Sequence, residues 1–178
     1  MTRTFPFDRN ATSPRRKKGG HVEAVKTEKH NGRTIKIIQD QDPMSPREWD
    51  NLGTMVCWHR RSNLGDKQSR DAQTTVEDAV EIEKRGGVVL PLYLYEHSGM
   101  TMDTTGFSCP WDSGQVGVIY VEEVKILKEY NVTDVTPEIH ERVLEVLRCE
   151  VKIYDQWLQG DVYGFVIEDA EGEHLDSC

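Results

Sequence analysis

Residues 136–160 constrain the fold more than any other stretch of this chain. Thr136 offers a hydroxyl to cap a helix. Pro137 suits the first helical position, where its missing N–H would find no intrahelical partner in any case. Glu138 sits where the positive end of the helix dipole favours an acid. Ile139, Val143, Val146, Leu147, Tyr154 and Leu158 then recur at helical spacing, and Gly160 supplies the stop. A helix this long with one apolar face needs a broad apolar surface to lie on, and the rest of the chain must provide it.

Strands are the evident source of that surface. Asn31-Gly32 is a strong signal for a tight hairpin, because a type I′ turn needs positive φ at both central residues. The flanking residues 21–30 and 33–40 are its arms. Two prolines, Pro43 and Pro46, then forbid regular structure and hold their neighbours extended. Residues 54–59 read as a buried strand. The polar stretch 60–73 reads as a long loop, and Thr74 or Thr75 is expected to cap a helix over 76–85 that ends at Gly86. Strands follow at 88–95 and 115–121, separated by an irregular region with Gly99, Gly106 and Pro110. A short helix over 122–130 ends at Asn131, and residues 161–168 and 173–178 form a closing hairpin around Asp169-Ala170-Glu171-Gly172.

The order β-β-β-α-β-β-α-α-β-β predicts an α+β architecture, an antiparallel or mixed sheet with two to three helices packed on one face. No βαβ unit with a glycine-rich phosphate turn appears, which argues against a dinucleotide-binding fold. At 178 residues the chain suits one domain, assigned to 22–178, with residues 1–21 as a flexible basic arm.

Charge separates the two parts. The arm holds Arg3, Arg9, Arg15, Arg16, Lys17 and Lys18 against Asp8 alone, a net of +5, so a formal total of −9 leaves −14 for the remainder. An acidic body repels nucleic-acid phosphates and favours basic partners, including proteins that themselves bind nucleic acid; solubility is the plainer use of such charge. The longest apolar run, 86–95, is broken by Pro91 and falls well short of the roughly 20 residues a membrane span requires. The polar N-terminus lacks the apolar segment of a secretory signal. Cys57, Cys109, Cys149 and Cys178 make no CxxC pair, so free thiols in a cytoplasmic setting are expected.

Polar and aromatic residues gather in the irregular segments, around 45–53, 57–66, 95–99 and 107–115. A metal reading draws on His59, Asp66, His97 and Asp112, since imidazole and carboxylate suit a transition ion. A nucleophilic reading pairs Cys109 or Ser108 with His59 or His97 and with Asp112 as the acid. Neither has HExxH or CxxC spacing, and local hydrogen bonding or turn filling accounts for the same residues. No cofactor is expected. Trp49, Trp58, Trp111 and Trp157 read mainly as packing residues, with Trp49 and Trp111 also candidate anchors for a partner.

The strings SPREWDNLGTMVCWH at 45–59, LPLYLYEHSG at 90–99, FSCPWDSGQVG at 107–117 and YDQWLQGDVYG at 154–164 resemble a family of small uncharacterised proteins carried by bacteriophages, prophages and plasmids. The resemblance spans about residues 33–178. It implies a genomic setting rather than a chemistry, and a continuation by a Trp-Gly segment after Cys178 that would leave the last strand cut short. Setting and charge together suggest an anti-CRISPR or anti-restriction inhibitor. Its partner would be a host defence protein, such as a Cas effector or restriction enzyme, and the acidic body would act as a DNA mimic without itself contacting nucleic acid or membrane. The candidate binding acids are Glu122, Glu123, Glu129, Glu138, Glu141, Glu145, Asp169, Glu171 and Glu173. The alternatives are a metal- or thiol-dependent enzyme acting on a nucleotide or nucleic acid through His59, His97, Cys109 and Asp112, and an accessory phage protein that binds another phage component.

Overall fold

The computed structural model describes residues 23–178, so the arm assigned to 1–21 lies outside the described residues. The elements run β1 (Lys26–His30), β2 (Arg33–Gln39), a 3₁₀ turn (Pro46–Glu48), β3 (Thr54–Cys57), β4 (Lys67–Gln68), α1 (Ala72–Lys84), β5 (Val88–Glu96), β6 (Met100–Asp103), β7 (Ser113–Val121), α2 (Glu123–Tyr130), α3 (Pro137–Leu158), β8 (Tyr163–Glu168) and β9 (His174–Ser177). The class is α+β, as the element order predicts. The strands divide into two sheets, ordered β4-β3-β7-β5-β6 and β1-β2-β8-β9.

The five-stranded sheet carries the core. Successive residues of a strand point to opposite faces, and β7 shows the consequence. Ile119 reaches the α3 side, where it and Leu147 close around Gly53; a Cβ on Gly53 would lie 2.5 Å from the Leu147 side chain. Its neighbours Val118 and Tyr120 face Ala79 and Ile82 of α1. Helices α2 and α3 therefore share one face and α1 covers the other, so the helices do not all pack on one face as expected: adjacent residues of β7 are apolar on both sides and both need cover. On the α3 side Met55, Cys57, Leu92, Ile119, Ile126, Val143 and Leu147 are essentially sealed from water. At about 25 cal/mol per Å² of apolar surface removed from water, this layer is the main driving force of the fold.

The helix signals at 136–160 hold. Thr136 Oγ1 accepts from the Ile139 N–H, Pro137 opens α3, and Gly160 follows its end with φ +76. Val151 joins the buried stripe, a position the apolar spacing left out. Helix α1 starts earlier than expected, at Ala72, because Asp71 caps it in place of Thr74 or Thr75, accepting from the N–H groups of Gln73 and Thr74. Two short strands, β4 and β6, also occupy stretches read as loop; β4 is two polar residues, and β6, though it buries Met102, is only four residues long.

The Asn31-Gly32 hairpin forms as expected, with φ +49 and +73. It pairs with the closing hairpin, β2 against β8, to make the second sheet. No residue of its four strands is fully buried. At its inner end Asp40 N–H donates to the Val162 carbonyl, continuing the β2–β8 ladder, and Gln39 Nε2 donates to the Gly160 carbonyl at the end of α3.

Candidate functional site

Three of the four polar clusters converge beside the end of β5. His59 follows β3, Glu96 ends β5 with His97 next to it, and Cys109, Trp111 and Asp112 lie on the loop entering β7. The Glu96 N–H donates to the Asp112 carbonyl at 2.8 Å, which stitches the two loops together. A cavity of about 350 Å³ opens there, lined among others by His59, Arg61, Glu96, Trp111 and Asp112.

Two imidazole–carboxylate pairs are present. His59 Nδ1 accepts from the Ser62 N–H at 3.2 Å, so Nε2 carries the proton of the neutral ring and faces Glu96 Oε2 at 3.5 Å. His97 Nδ1 stands 3.5 Å from Asp112 Oδ2, while its ring stacks on Tyr95 at a centroid distance of 6.2 Å. The Cys109 thiol points at the same Asp112 Oδ2, 3.7 Å away.

That order does not suit thiol catalysis. An activated cysteine has imidazole between thiol and carboxylate, so that the ring takes the thiol proton and the acid orients the ring. Here the carboxylate of Asp112 stands between Cys109 and His97. The metal reading also comes apart. Asp66 lies elsewhere, bound to Arg47, and among the described residues no group of three or more His, Cys, Asp or Glu side chains is arranged to hold an ion. Ser108 is exposed on the same loop.

The fourth cluster, residues 45–53, is a structural knot that sequence reasoning treated as a possible site. Arg47 lies buried beneath it. Its Nε and Nη2 donate to the two oxygens of Asp66 at 2.9 and 2.7 Å, Nη2 also to the Gly53 carbonyl at 2.7 Å, and Nη1 to Glu150 of α3 at 3.0 Å. Glu150 accepts in turn from the N–H groups of Leu52 and Gly53, and Asp66 from the N–H of Met55. Burial works against the Arg47 charge, but the hydrogen bonds it donates to Asp66 and Glu150 outweigh it and hold its pKa above the ordinary value. Beside this knot, the Tyr154 hydroxyl accepts from Gly65 N–H, and burial raises its pKa.

The candidate acids are scattered over the surface. Glu122 and Glu129 are exposed at the two ends of α2, and Glu138, Glu141 and Glu145 form an exposed stripe on the first turns of α3. Arg142 stands within that stripe, one turn on from Glu138, and Arg148 and Lys152 are exposed on the later turns. Glu123 is half-buried, set against Gly86. Asp169 shapes the β8–β9 turn by accepting from the N–H groups of Glu171 and Glu173, which are themselves exposed. Helix α1 adds exposed Glu77, Asp78, Glu81 and Glu83 to the acidic surface.

The tryptophans separate. Trp157 stacks on Tyr154 at 5.6 Å and donates from Nε1 to the Pro43 carbonyl, a packing role as expected. Trp58 is partly covered. Trp111 is 92% exposed and Trp49 53%, so packing does not explain them. A large ring left in water beside a polar cavity is the kind of residue that anchors protein–protein contacts. No helix among the described residues is long and apolar enough to cross a membrane, and all four cysteines are unpaired. Neither family models, curated proteins nor solved structures gave a match to this chain.

Proposed function

We propose that this chain is a phage- or mobile-element-encoded inhibitor of a host defence nuclease, of the anti-CRISPR or anti-restriction type, which binds its target through acidic surface as a mimic of DNA. The observation that carries the reading is the exposed carboxylate stripe of α3, Glu138, Glu141 and Glu145, on a body with a formal charge of −14. Along a helix these acids are spaced at about 4.5 and 6 Å of axial rise, close enough to present a line of negative charge to a basic channel. Trp111 supplies an aromatic anchor of the kind that concentrates binding energy at interfaces.

The test is an inhibition assay with purified CRISPR effectors and restriction enzymes. The reading expects cleavage by at least one of them to be blocked, with the block relieved by added salt and by excess non-substrate DNA. Inhibition insensitive to both, or none across the panel, counts against it.

A second reading is favoured by His59, Glu96 and Asp112 lining one cavity, with His97 paired to Asp112 beside it: an enzyme that handles a nucleotide or nucleic acid by proton transfer between imidazole and carboxylate. It expects nucleotide turnover or binding that His59→Ala and His97→Ala abolish without loss of fold.

A further inference from the structure

We propose that the four-stranded sheet is a self-association surface, and that its occupant is the same sheet of a second copy of this chain. Residues directly opposite on antiparallel strands share a face. The register pairs Ile35 with Ile167 and Ile37 with Phe165, which puts four large apolar side chains together at the centre of one face. Glu28 and Lys26 lie opposite Ile35 and Ile37 on the β1 side, and Asp176 lies opposite Ile167 on the β9 side. The other face carries the Lys36–Glu168 ion pair. An apolar centre with a charged rim is the anatomy of a protein interface. All four apolar residues remain partly exposed, so no described residue seals this face.

Charge selects the second copy and its orientation. Beside the β1–β2 turn stand Lys29 and Arg33, a net of +2, while the β8–β9 turn holds Asp169, Glu171 and Glu173, a net of −3. Because Thr34 pairs with Glu168, both turns lie at the same end of the sheet. The basic and acidic corners are thus side by side, at opposite edges of one end. A two-fold axis between two stacked sheets, parallel to the strands, exchanges the edges but keeps that end in place. It sets the basic corner of each copy over the acidic corner of the other and gathers Ile35, Ile37, Phe165 and Ile167 of both copies, at the cost of bringing Glu28 of each near Asp176 of the other at the rim. Such a contact is isologous and closes at two copies. Four strands of about five residues give a footprint of about 19 by 17 Å, smaller than the ~800 Å² each partner gives to a standard interface, so association is weak and falls in the micromolar range.

Sedimentation of the full chain from about 5 to about 300 µM, a range chosen to bracket a micromolar constant, tests this. The expected result is a reversible monomer–dimer equilibrium. Phe165→Lys removes the dimer while the far-UV circular dichroism is kept. Arg33→Glu, an exposed edge change that leaves the apolar face intact, weakens it about tenfold, and Arg33→Glu combined with Glu173→Arg recovers most of that loss. A full chain that stays monomeric throughout, whether because another part of the chain or a different partner occupies the face, overturns the proposal. So does a dimer that neither Phe165→Lys nor Arg33→Glu weakens.

Discussion

Arg47 and Asp66 meet through two parallel hydrogen bonds, at 2.9 and 2.7 Å, with the Arg47 side chain only 6% exposed. The pair fastens the segment before β3 to the segment after it, and Glu150 extends the hold to α3. Removing one partner of such a network leaves a buried charge without compensation, which costs about 3–5 kcal/mol. Arg47→Met is therefore expected to lower the unfolding free energy by about that amount in chemical denaturation. Arg47→Lys recovers little, because an ammonium cannot reproduce the bidentate fork. A loss of under about 1 kcal/mol for Arg47→Met, the scale of an exposed pair, would show that the knot is not structural.

Cys57 lies at the centre of the core, and burial, then the nearby Asp66 charge, push its thiol up to about 12. The unfolded thiol ionises near its ordinary value of about 8.5. The folded state therefore binds the proton more tightly: this contribution is intact below the ordinary thiol range and is lost as pH rises toward about 12. Stability should fall above about pH 9 by up to about 1.4 kcal/mol per pH unit from this group, and Cys57→Ala should flatten that part of the profile. At pH 8 iodoacetamide should label Cys149 and Cys178, both exposed, while Cys57 stays protected until the chain unfolds. Equal labelling of Cys57 in the native protein would contradict its placement.

Trp111 gives the cleanest separation of binding from folding. With 92% of its surface in water it has little packing to lose, so Trp111→Ala should change stability by no more than about 0.5 kcal/mol. If the ring anchors a partner, the same change should weaken inhibition of the target nuclease by a factor of ten or more, a loss of at least about 1.4 kcal/mol in binding. Unaltered inhibition would remove Trp111 from the interface.

Local chemistry explains which parts of this structure the sequence revealed. Thr136-Pro137, Asn31-Gly32 and Gly160 act through their own backbone preferences, so the α3 start, the hairpin and the α3 end could be placed from residue type alone. Strand pairing is not local. Nothing in 33–39 or 163–168 states that these segments leave the main sheet to pair with each other, and the division into two sheets was missed. The Arg47 knot was hidden for the same reason: its three members are at 47, 66 and 150, and each alone looks like a surface charge. No spacing in the sequence brings His59, His97, Cys109 and Asp112 together; the pairing of β3 and β5 with β7 does so. What they form depended on order in space, with Asp112 between Cys109 and His97, and that order has no signature in sequence.

The acidic face of α3 is the part of the functional account that a single comparison tests most directly. Glu138→Lys, Glu141→Lys and Glu145→Lys combined change exposed side chains only, so the fold should persist, as thermal unfolding will report. Inhibition constants for wild type and triple variant, against any nuclease that the proposed inhibition assay identifies as a target, are the measurement. The account predicts that charge reversal raises the inhibition constant by at least a hundredfold at low salt and that the difference narrows as salt screens it. A folded triple variant that inhibits as well as the wild type would contradict DNA mimicry by this surface.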